Sequence, residues 1–166
     1  MRQIFVTPTD CSFHYDECPC CWWRKINKVQ KPGEAFPSIF RVIDSQMKLS
    51  ITPEILQSFG IPCRETVAIE RVRSATVMYP DLQIELVIGG NLDRLARLDD
   101  DTYAVIDFKS GAPSPKSFQR YWRQLHAYEH CLRTGTISCE VSLLGLLWFT
   151  PSSFKVKDKT GCLLQI

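Results

Sequence analysis

Apolar and polar positions recur with regular periods along much of the chain, and these periods predict the order of its elements. Within Ser38–Leu49, apolar side chains return every three or four positions, which indicates a helix. Thr52 and Pro53 then favour the start of a second, short helix that Gly60 ends. These two helices precede the first predicted strands.

A longer helix is predicted in the C-terminal half. Ser114 with Pro115 favours its start, and Thr134-Gly135 favours its end. The helical period predicts a buried stripe whose members are Phe118, Tyr121, Leu125, Tyr128 and Leu132.

Three other segments have the composition of strands. Thr66–Tyr79 and Leu82–Ile88 are β-rich and are separated by a turn at Tyr79-Pro80-Asp81. Glu140–Phe149 is a continuous apolar run suited to the middle of a sheet. Gly89-Gly90 indicates a bulge or a close backbone approach at the end of the second segment.

A hairpin is predicted between residues 89 and 111, with an acidic tip near residue 100. Asp93 and Asp107 are equidistant from that tip, so they are expected to be cross-strand partners. Lys109 follows Asp107 by two positions and therefore points to the same face of the strand. The intervening residues are apolar on both faces, as in a strand that is covered on two sides.

A buried acid and lysine are costly unless they are paired or bind a metal ion. Two interpretations of Asp107 and Lys109 follow from the residues alone. The pair is either a structural ion pair in an ordinary hairpin or part of a functional site, because both arrangements occur in proteins.

Three motifs carry a resemblance to a known family. Gly90–Arg94 reads Gly-Asn-Leu-Asp-Arg, Val105–Gly111 reads Val-Ile-Asp-Phe-Lys-Ser-Gly, and Gln124–Tyr128 has the pattern Gln-x-x-x-Tyr. In order and spacing they resemble the motifs of the PD-(D/E)XK nuclease superfamily, in particular its RecB-like branch. The resemblance implies an α/β fold with a restriction-endonuclease-like core, in which helices flank a mixed central β-sheet.

The resemblance also implies a metal site. Asp93, Asp107 and the backbone carbonyl of Phe108 would hold one or two Mg²⁺ or Mn²⁺ ions. Many RecB-like members carry a metal-binding histidine on the helix before the sheet, but here that helix contains none. Asp44 is the nearest acid on it and is either a substitute oxygen ligand or a solvated helix residue.

Lys109, Gln124, Tyr128 and Arg94 receive further roles from the resemblance. Lys109 would orient or deprotonate the attacking water, and Gln124 and Tyr128 would fix its side chain or the DNA backbone. Arg94 would contact a phosphate, or else pair with Asp93. His126 and His130 are four residues apart, but no third ligand is evident, so they are interpreted as surface residues.

Composition narrows the class of protein. Hydrophobic residues make up 45% and charged residues 23% of the 166 residues, which is ordinary for one globular domain spanning residues 1–166. The net charge of +2 gives no strong electrostatic signal for nucleic acid. No apolar run is long enough to span a bilayer and no signal peptide is evident, so a cytoplasmic location without membrane contact is expected.

Residues 1–38 are expected to be an irregular, cysteine- and tryptophan-rich segment packed on the domain. Cys11, Cys18, Cys20 and Cys21 crowd this segment, but their spacing gives half of a zinc site at best. Some RecB-like members hold an iron–sulfur cluster with one such cysteine and three C-terminal ones, and that tight C-terminal grouping is missing here. The pattern favours plain thiols over zinc or a cluster, and core packing over base stacking for Trp22-Trp23.

The leading functional hypothesis is metal-dependent hydrolysis of nucleic-acid phosphodiester bonds. DNA is expected rather than RNA, with exonuclease-like action and a protein partner such as a helicase or a repair or defence complex. One alternative is a catalytically silent nuclease fold that binds nucleic acid or a protein. Another is a cysteine-based metal or redox sensor.

Overall fold

The structure is a computed structural model that describes residues 1–29, 38–67, 69, 71–150, 153–158 and 161–165. Its helices are α1 (Pro8–Glu17), α2 (Pro19–Ile26), α3 (Ser38–Ser50), α4 (Pro53–Ser58) and α5 (Pro115–Thr134), with a 3₁₀ turn at Pro80–Leu82. Its strands are β1 (Arg2–Val6), β2 (Cys63–Val67), β3 (Arg71–Arg73), β4 (Val77–Tyr79), β5 (Ile84–Asn91), β6 (Arg94–Leu98), β7 (Tyr103–Ser110), β8 (Val141–Phe149), β9 (Ser153–Asp158) and β10 (Gly161–Gln165).

The described strands form two mixed four-stranded sheets and a separate hairpin of β9 with β10. The first sheet has the order β2-β6-β7-β8, in which only β7 and β8 are parallel. In the second, β5 pairs with β1 in parallel and with β3 and β4 in antiparallel fashion. The predicted α/β class, with a restriction-endonuclease-like core and helices flanking mixed sheet, is confirmed, although the strands divide into two sheets.

Strand β7 lies between two apolar layers of the first sheet. Ala104, Ile106 and Phe108 pack with residues of α3 and α4 on one face. Val105 packs with Leu125 of α5 on the other face. Because side chains alternate along a strand, Asp107 and Lys109 share one face, as predicted, and the structure shows that this is the α5 face.

The predicted β6–β7 hairpin is confirmed, with the predicted register. Its pairs run from Arg94 opposite Ile106 to Arg97 opposite Tyr103, each equidistant from residue 100. Asp93 lies one residue before β6 and is therefore just outside this ladder. The hairpin thus brings the two carboxylates to the end of the paired region.

Two glycines of β5 allow close backbone contact where the strand approaches its neighbours. A Cβ on Gly89 would lie 2.9 Å from the carbonyl oxygen of Val72, and one on Gly90 would lie 2.8 Å from Cδ of Pro8. Both distances are too short for a side chain. Of the two reasons predicted for this glycine pair, a bulge or a close backbone approach, the second therefore applies.

The predicted helix starts and ends are confirmed at α4 and α5. Thr52 caps α4, and Gly60 follows that helix at φ +80°. The Ser114 hydroxyl accepts a hydrogen bond from the Ser117 N–H at the start of α5, and Gly135 caps its end. Serine and threonine oxygens satisfy backbone N–H groups that lack a partner in the first turn.

The predicted stripe of α5 is wrong at its N-terminal end. Leu125, Tyr128 and Leu132 are buried, but Phe118 is 51% exposed and Tyr121 is half-buried. The helical period identifies which positions share a face, but it does not tell how much of that face the sheet covers. The first turns of α5 therefore carry aromatic rings that the core does not bury.

Residues 1–29 are regular, so the expected irregular segment is a wrong prediction over this range. Strand β1 extends the second sheet, and α1 and α2 follow it directly. The prediction missed a capping box, in which Thr7 N–H donates to the Asp10 carboxylate over 2.7 Å and the Thr7 hydroxyl accepts from the Asp10 N–H. Trp22 is half-buried, but Trp23 is 58% exposed, which corrects the expected burial of that ring.

Two strand assignments also change. Thr66–Tyr79, predicted as one β-rich run, contains parts of three strands, and Glu140–Phe149 gives β8 at the end of the first sheet among the described strands instead of its middle. Parallel pairing of β8 with β7 depends on distant residues, so the local apolar pattern could not reveal its neighbours. None of the described helices combines the length and apolarity needed to cross a membrane.

Candidate active site

Asp107 is a buried carboxylate on β7, with an exposed fraction of only 2%. Its Oδ2 lies 2.5 Å from the Lys109 ammonium nitrogen. Its Oδ1 accepts a hydrogen bond of 2.9 Å from the Gln124 amide nitrogen. The strand supplies the acid and the lysine, and α5 supplies the amide that holds the acid in place.

Gln124 also binds Lys109. The lysine ammonium donates to the Gln124 Oε1 over 3.2 Å and lies 4.1 Å from the centre of the Tyr121 ring. Because both ends of the Gln124 amide are used, its rotamer is fixed relative to Asp107 and Lys109. The structure therefore brings together three of the residues that the sequence predicted for the site.

Asp93 approaches the same strand from the segment between β5 and β6. Its Oδ2 accepts a hydrogen bond of 2.9 Å from the backbone N–H of Phe108. The N–H and carbonyl of one strand residue point to the same edge of the strand. The Phe108 carbonyl therefore lies on the edge of β7 that Asp93 faces.

Lys48 of α3 is a residue of this region that the sequence analysis missed. Its ammonium lies 2.9 Å from Asp93 Oδ1 and 3.0 Å from Asp44 Oδ2, so it stands between the two acids. Burial alone lowers the pKa of Lys48, but the contacts with Asp93 and Asp44 outweigh it and raise the pKa above its ordinary value. The sequence feature that could have revealed Lys48 was its i,i+4 spacing from Asp44 on a predicted helix.

Tyr128 holds the segment before Asp93, whereas Gln124 holds Lys109. Its hydroxyl donates a hydrogen bond of 2.6 Å to the backbone carbonyl of Asn91, at the end of β5. Burial raises the pKa of Tyr128, so the hydroxyl remains a donor at any ordinary pH. The contact holds the segment that leads to Asp93 against α5.

Arg94 points toward α3. Its guanidinium donates a hydrogen bond to the backbone carbonyl of Lys48, in the last turn of that helix. This contact supports the α3 backbone beside Asp93, and it takes the place of the predicted Arg94–Asp93 ion pair. The predicted phosphate contact stays a prediction.

Burial raises the pKa of Asp107 to about 7, with the Lys109 charge lowering it and the Asp93 carboxylate raising it. Two carboxylates that are close together repel, and water is not present to screen a buried one. The Lys109 ammonium, 2.5 Å from Asp107 Oδ2, compensates one of these two carboxylates. A divalent cation close to both of them would relieve the remaining repulsion.

The available donors fit a hard divalent cation such as Mg²⁺ or Mn²⁺. Such ions prefer carboxylate, carbonyl and water oxygens, and Asp93, Asp107 and the Phe108 carbonyl offer the first two kinds. The described residues contain no cluster of three His, Cys, Asp or Glu side chains with metal-binding geometry. Any ion held here would complete its coordination with the Phe108 carbonyl, water or substrate oxygens.

Two clefts are lined by residues of this region. One of about 880 Å³ is lined by Lys48, Asn91, Asp93 and Arg94, among others. The other, of about 390 Å³, is lined by residues that include Asp44, Lys109 and Tyr121. Both clefts open to solvent, so a ligand has access to Asp93 through the first and to Asp44 and Lys109 through the second.

The remaining candidate metal ligands are the cysteines and histidines considered in the sequence analysis. Cys11, Cys20, Cys63, Cys131 and Cys139 are thiols outside any disulfide, and the side chains of Cys162 and His14 lie outside the described part of the structure. His126 is exposed and its Nδ1 lies 2.8 Å from a carboxylate oxygen of Glu129, as expected for a surface residue.

The model of the PD-(D/E)XK nuclease superfamily matches residues 16–159, which include all of the residues described above for the site. The chain therefore belongs to the PD-(D/E)XK nuclease superfamily. No individually curated protein matches the chain at a significant level.

Proposed function

We propose that the protein is a metal-dependent nuclease of the RecB-like branch, which hydrolyses phosphodiester bonds of DNA with exonuclease-like action. The observation that carries the proposal is the Asp107–Gln124–Lys109 network, with the Asp93 carboxylate beside it. A purely structural ion pair needs neither a second carboxylate nearby nor an amide that fixes both partners. Membership of a nuclease superfamily gives the same chemical class.

In this proposal Asp93, Asp107 and the Phe108 carbonyl hold Mg²⁺ or Mn²⁺, with Asp44 as a further oxygen ligand. When bound, the metal activates a water molecule and neutralises charge that develops on the phosphate. Gln124 keeps the Asp107 carboxylate in one orientation through its 2.9 Å hydrogen bond. The apolar layers around β7 exclude bulk water from the buried side of this carboxylate.

Lys109 supplies a positive charge and proton donors beside the reacting phosphate. It orients or deprotonates the attacking water and stabilises the negative charge of the transition state. Gln124 and the Tyr121 ring restrict its side chain, so little reorganisation is needed when the reaction occurs. Tyr128 acts at a distance by holding Asn91, and Arg94 contributes a positive charge for the substrate backbone.

We infer that the domain, residues 1–166, works in the cytoplasm without membrane contact and with a protein partner such as a helicase or a repair or defence complex. The branch resemblance supports this partner class, because RecB-like nucleases work with such machines. RNA would be a poorer substrate than DNA in this proposal.

A second candidate is a catalytically silent nuclease fold that binds nucleic acid. The observation that favours it is Lys48, whose ammonium contacts both Asp44 and Asp93 and so supplies one positive charge where a metal ion would act. Neutralisation by a fixed lysine would make a divalent ion unnecessary for stability.

The deciding experiment follows degradation of end-labelled and internally labelled DNA with Mg²⁺, with Mn²⁺ and with a chelator. The nuclease proposal expects cleavage with either ion, none with the chelator, and none in Asp107→Asn with either ion. Asp99→Asn is the matched control, because it removes a carboxylate at the exposed tip of the same hairpin. DNA binding without metal-dependent cleavage would favour the silent module.

A further inference from the structure

The larger cleft, which Asp93 lines, has a charge that suits an anion. Among the described residues along it are three cations, Lys48, Arg71 and Arg94, and one acid, Asp93. Its volume of about 880 Å³ lies within the range of roughly 300–1,000 Å³ that is usual for ligand sites. An excess of one charge in a cleft raises the local concentration of ligands of the opposite charge. The cleft that gives access to a candidate metal ligand therefore also attracts anions.

The three cations differ in how far protein groups already engage them. The Lys48 ammonium contacts the carboxylates of Asp93 and Asp44. The Arg94 guanidinium donates a hydrogen bond to the backbone carbonyl of Lys48. Arg71 is exposed, and its side chain makes no hydrogen bond or ion pair within the part of the chain that the structure describes. Because a guanidinium has five N–H donors and binds phosphate through two of them at once, Arg71 is available for such a ligand.

The register of β3 and β5 places Arg71 close to the candidate metal site. Arg71 is paired with Asn91 in the antiparallel ladder, so their side chains project from the same face of the sheet. Asn91 precedes Asp93 by two residues, a separation of at most roughly 7 Å between Cα atoms. The Tyr128 hydroxyl binds the Asn91 carbonyl and fastens this end of β5 to α5. A phosphate next to one bound at Asp93 is therefore within reach of the Arg71 side chain.

The remaining walls of the cleft suit the sugars and bases of a nucleic-acid strand. Thr52, Thr66 and Asn91 provide polar groups. A mainly apolar lining with a few polar groups is usual for sites that bind organic ligands, whereas a free inorganic anion needs no apolar wall. The apolar residues of the lining are Leu49, Ile51, Pro53, Val67, Ile69 and Leu92.

We propose that the DNA strand enters the active site through this cleft and that Arg71 binds the phosphate next to the scissile one. The inference rests on the proposed nuclease function and deepens it by assigning the path of the strand and a positioning residue. Arg71 contacts the backbone and not a base edge, so it fixes the position of the strand without reading its sequence.

The first test measures binding of labelled DNA duplexes and single strands, in two unrelated base sequences, to the full chain with a chelator present. Arg71→Gln should weaken binding roughly tenfold and equally for both sequences, the order expected for loss of a hydrogen bond to a charged group. The slope of log affinity against log salt concentration should become shallower by about 0.9 for the duplex or 0.7 for the single strand. Arg71→Lys keeps the charge but not the two-point geometry, so it should bind better than Arg71→Gln.

The second test follows cleavage kinetics with Mg²⁺. Arg71→Gln should raise KM by about the same factor as it weakens binding and leave kcat nearly unchanged, because the phosphate contact is equally strong before and during the reaction. A purely structural role of Arg71 would instead lower the melting temperature, without a change in the salt slope.

Arg73→Gln is the matched control, because Arg73 is an exposed arginine on the same face of β3 but does not line this cleft. It should bind and cleave as the wild type does. Arg41→Gln tests the other path, because Arg41 lines the cleft that contains Lys109. It should also leave DNA binding unchanged.

Binding by Arg71→Gln with the affinity and salt slope of the wild type would overturn the inference, as would a fall in kcat at unchanged KM. A loss in Arg41→Gln with normal binding in Arg71→Gln would also overturn it, because the strand would then follow the cleft beside Lys109. Arg71-dependent binding without any metal-dependent cleavage by the wild type would support the strand path and remove the nuclease proposal. Metal-dependent cleavage with binding that does not depend on Arg71 would remove the strand path alone.

Discussion

Two carboxylate–ammonium pairs occupy the candidate site, and they differ in how firmly they are held. Asp107 and Lys109 are exposed by 2% and 15%, and Gln124 binds both of them. Asp93 and Lys48 are exposed by 15% and 36%, and the Lys48 side chain reaches Asp93 from a neighbouring helix. A buried, hydrogen-bonded charge is costly to move, whereas a long lysine at a surface pair exchanges readily with solvent.

This difference assigns different roles to the two lysines. Lys109 is preorganised by its neighbours, as a group that acts directly in a reaction should be. In the proposed function, Lys48 is an ammonium that a divalent ion or a phosphate would displace from Asp93. The predictions below test this distinction, from the largest expected effect to the smallest.

The largest effect is expected at the buried acid. Asp107→Asn should abolish Mn²⁺ binding at the site and reduce cleavage to background, because the amide cannot supply an anionic ligand. Isothermal titration with Mn²⁺ and the labelled-DNA assay measure the two effects. Asp99→Asn should behave as the wild type in both, and Mn²⁺ bound with normal affinity by Asp107→Asn would contradict the assigned ligand.

The pH dependence of the stability of the metal-free protein should reveal the titration of Asp107. Burial raises the pKa of Asp107 to about 7, so the folded state binds its proton more tightly than the unfolded state does. The free energy of unfolding of the wild type should therefore fall as pH rises from about 4 to 7, and Asp107→Asn should lack this part of the fall. Denaturant unfolding at several pH values, with a chelator, measures it, and parallel pH profiles would contradict the assignment.

Variants of Lys109 test whether a positive charge alone is enough for turnover. Lys109→Arg keeps the charge, but its planar guanidinium has a different reach and cannot act as a base. If the lysine orients or deprotonates water, both Lys109→Arg and Lys109→Ala should lose roughly 10²- to 10⁴-fold in turnover while still binding Mn²⁺. Near-normal activity in Lys109→Arg would exclude the general-base role, and joint loss of metal and fold would favour a structural ion pair.

Much of the Asp107–Lys109 region was predictable because its determinants are local. The turn near residue 100 sets the register of β6 and β7, and the two-residue period of a strand places Asp107 and Lys109 on one face. Serine and threonine caps likewise fix the start of α4 and α5. Each of these rules needs only residues that are close in the sequence.

The Asp93–Lys48 region could not be predicted in the same way, since it depends on contacts between distant segments. Nothing local places Lys48 of α3 beside Asp93, or β1 parallel to β5. The exposure of Phe118 is a similar case, because it depends on where the sheet ends beneath α5. Periodicity gives the face of an element, and only tertiary packing decides what covers it.

Loss of the Gln124 or Tyr128 hydrogen bonds should lower turnover less than loss of Asp107 or Lys109 does. The two residues should also differ in their effects on turnover and stability. Gln124→Met keeps the volume but removes the hydrogen bonds to Asp107 and Lys109, so turnover should fall by more than it does in Tyr128→Phe. Tyr128→Phe leaves the Asn91 carbonyl without its donor and should lower the free energy of unfolding by about 1–3 kcal/mol. Kinetics and denaturant unfolding of both variants check this, and full activity in Gln124→Met would refute its positioning role.

The smallest effect is expected at Lys48, and it decides whether that lysine opposes or supports the metal. Lys48→Met removes the ammonium from Asp93 and Asp44 without adding a charge. A pair as exposed as this one contributes about 0.2–1 kcal/mol, so stability should change little and Mn²⁺ affinity should rise roughly 1.5- to 5-fold once the competitor is gone. Arg133→Met, which removes an exposed cation from the far end of α5, should leave the affinity unchanged. A fall in Mn²⁺ affinity in Lys48→Met would show that the lysine helps to build the site, and the contrast between the two lysines would then be wrong.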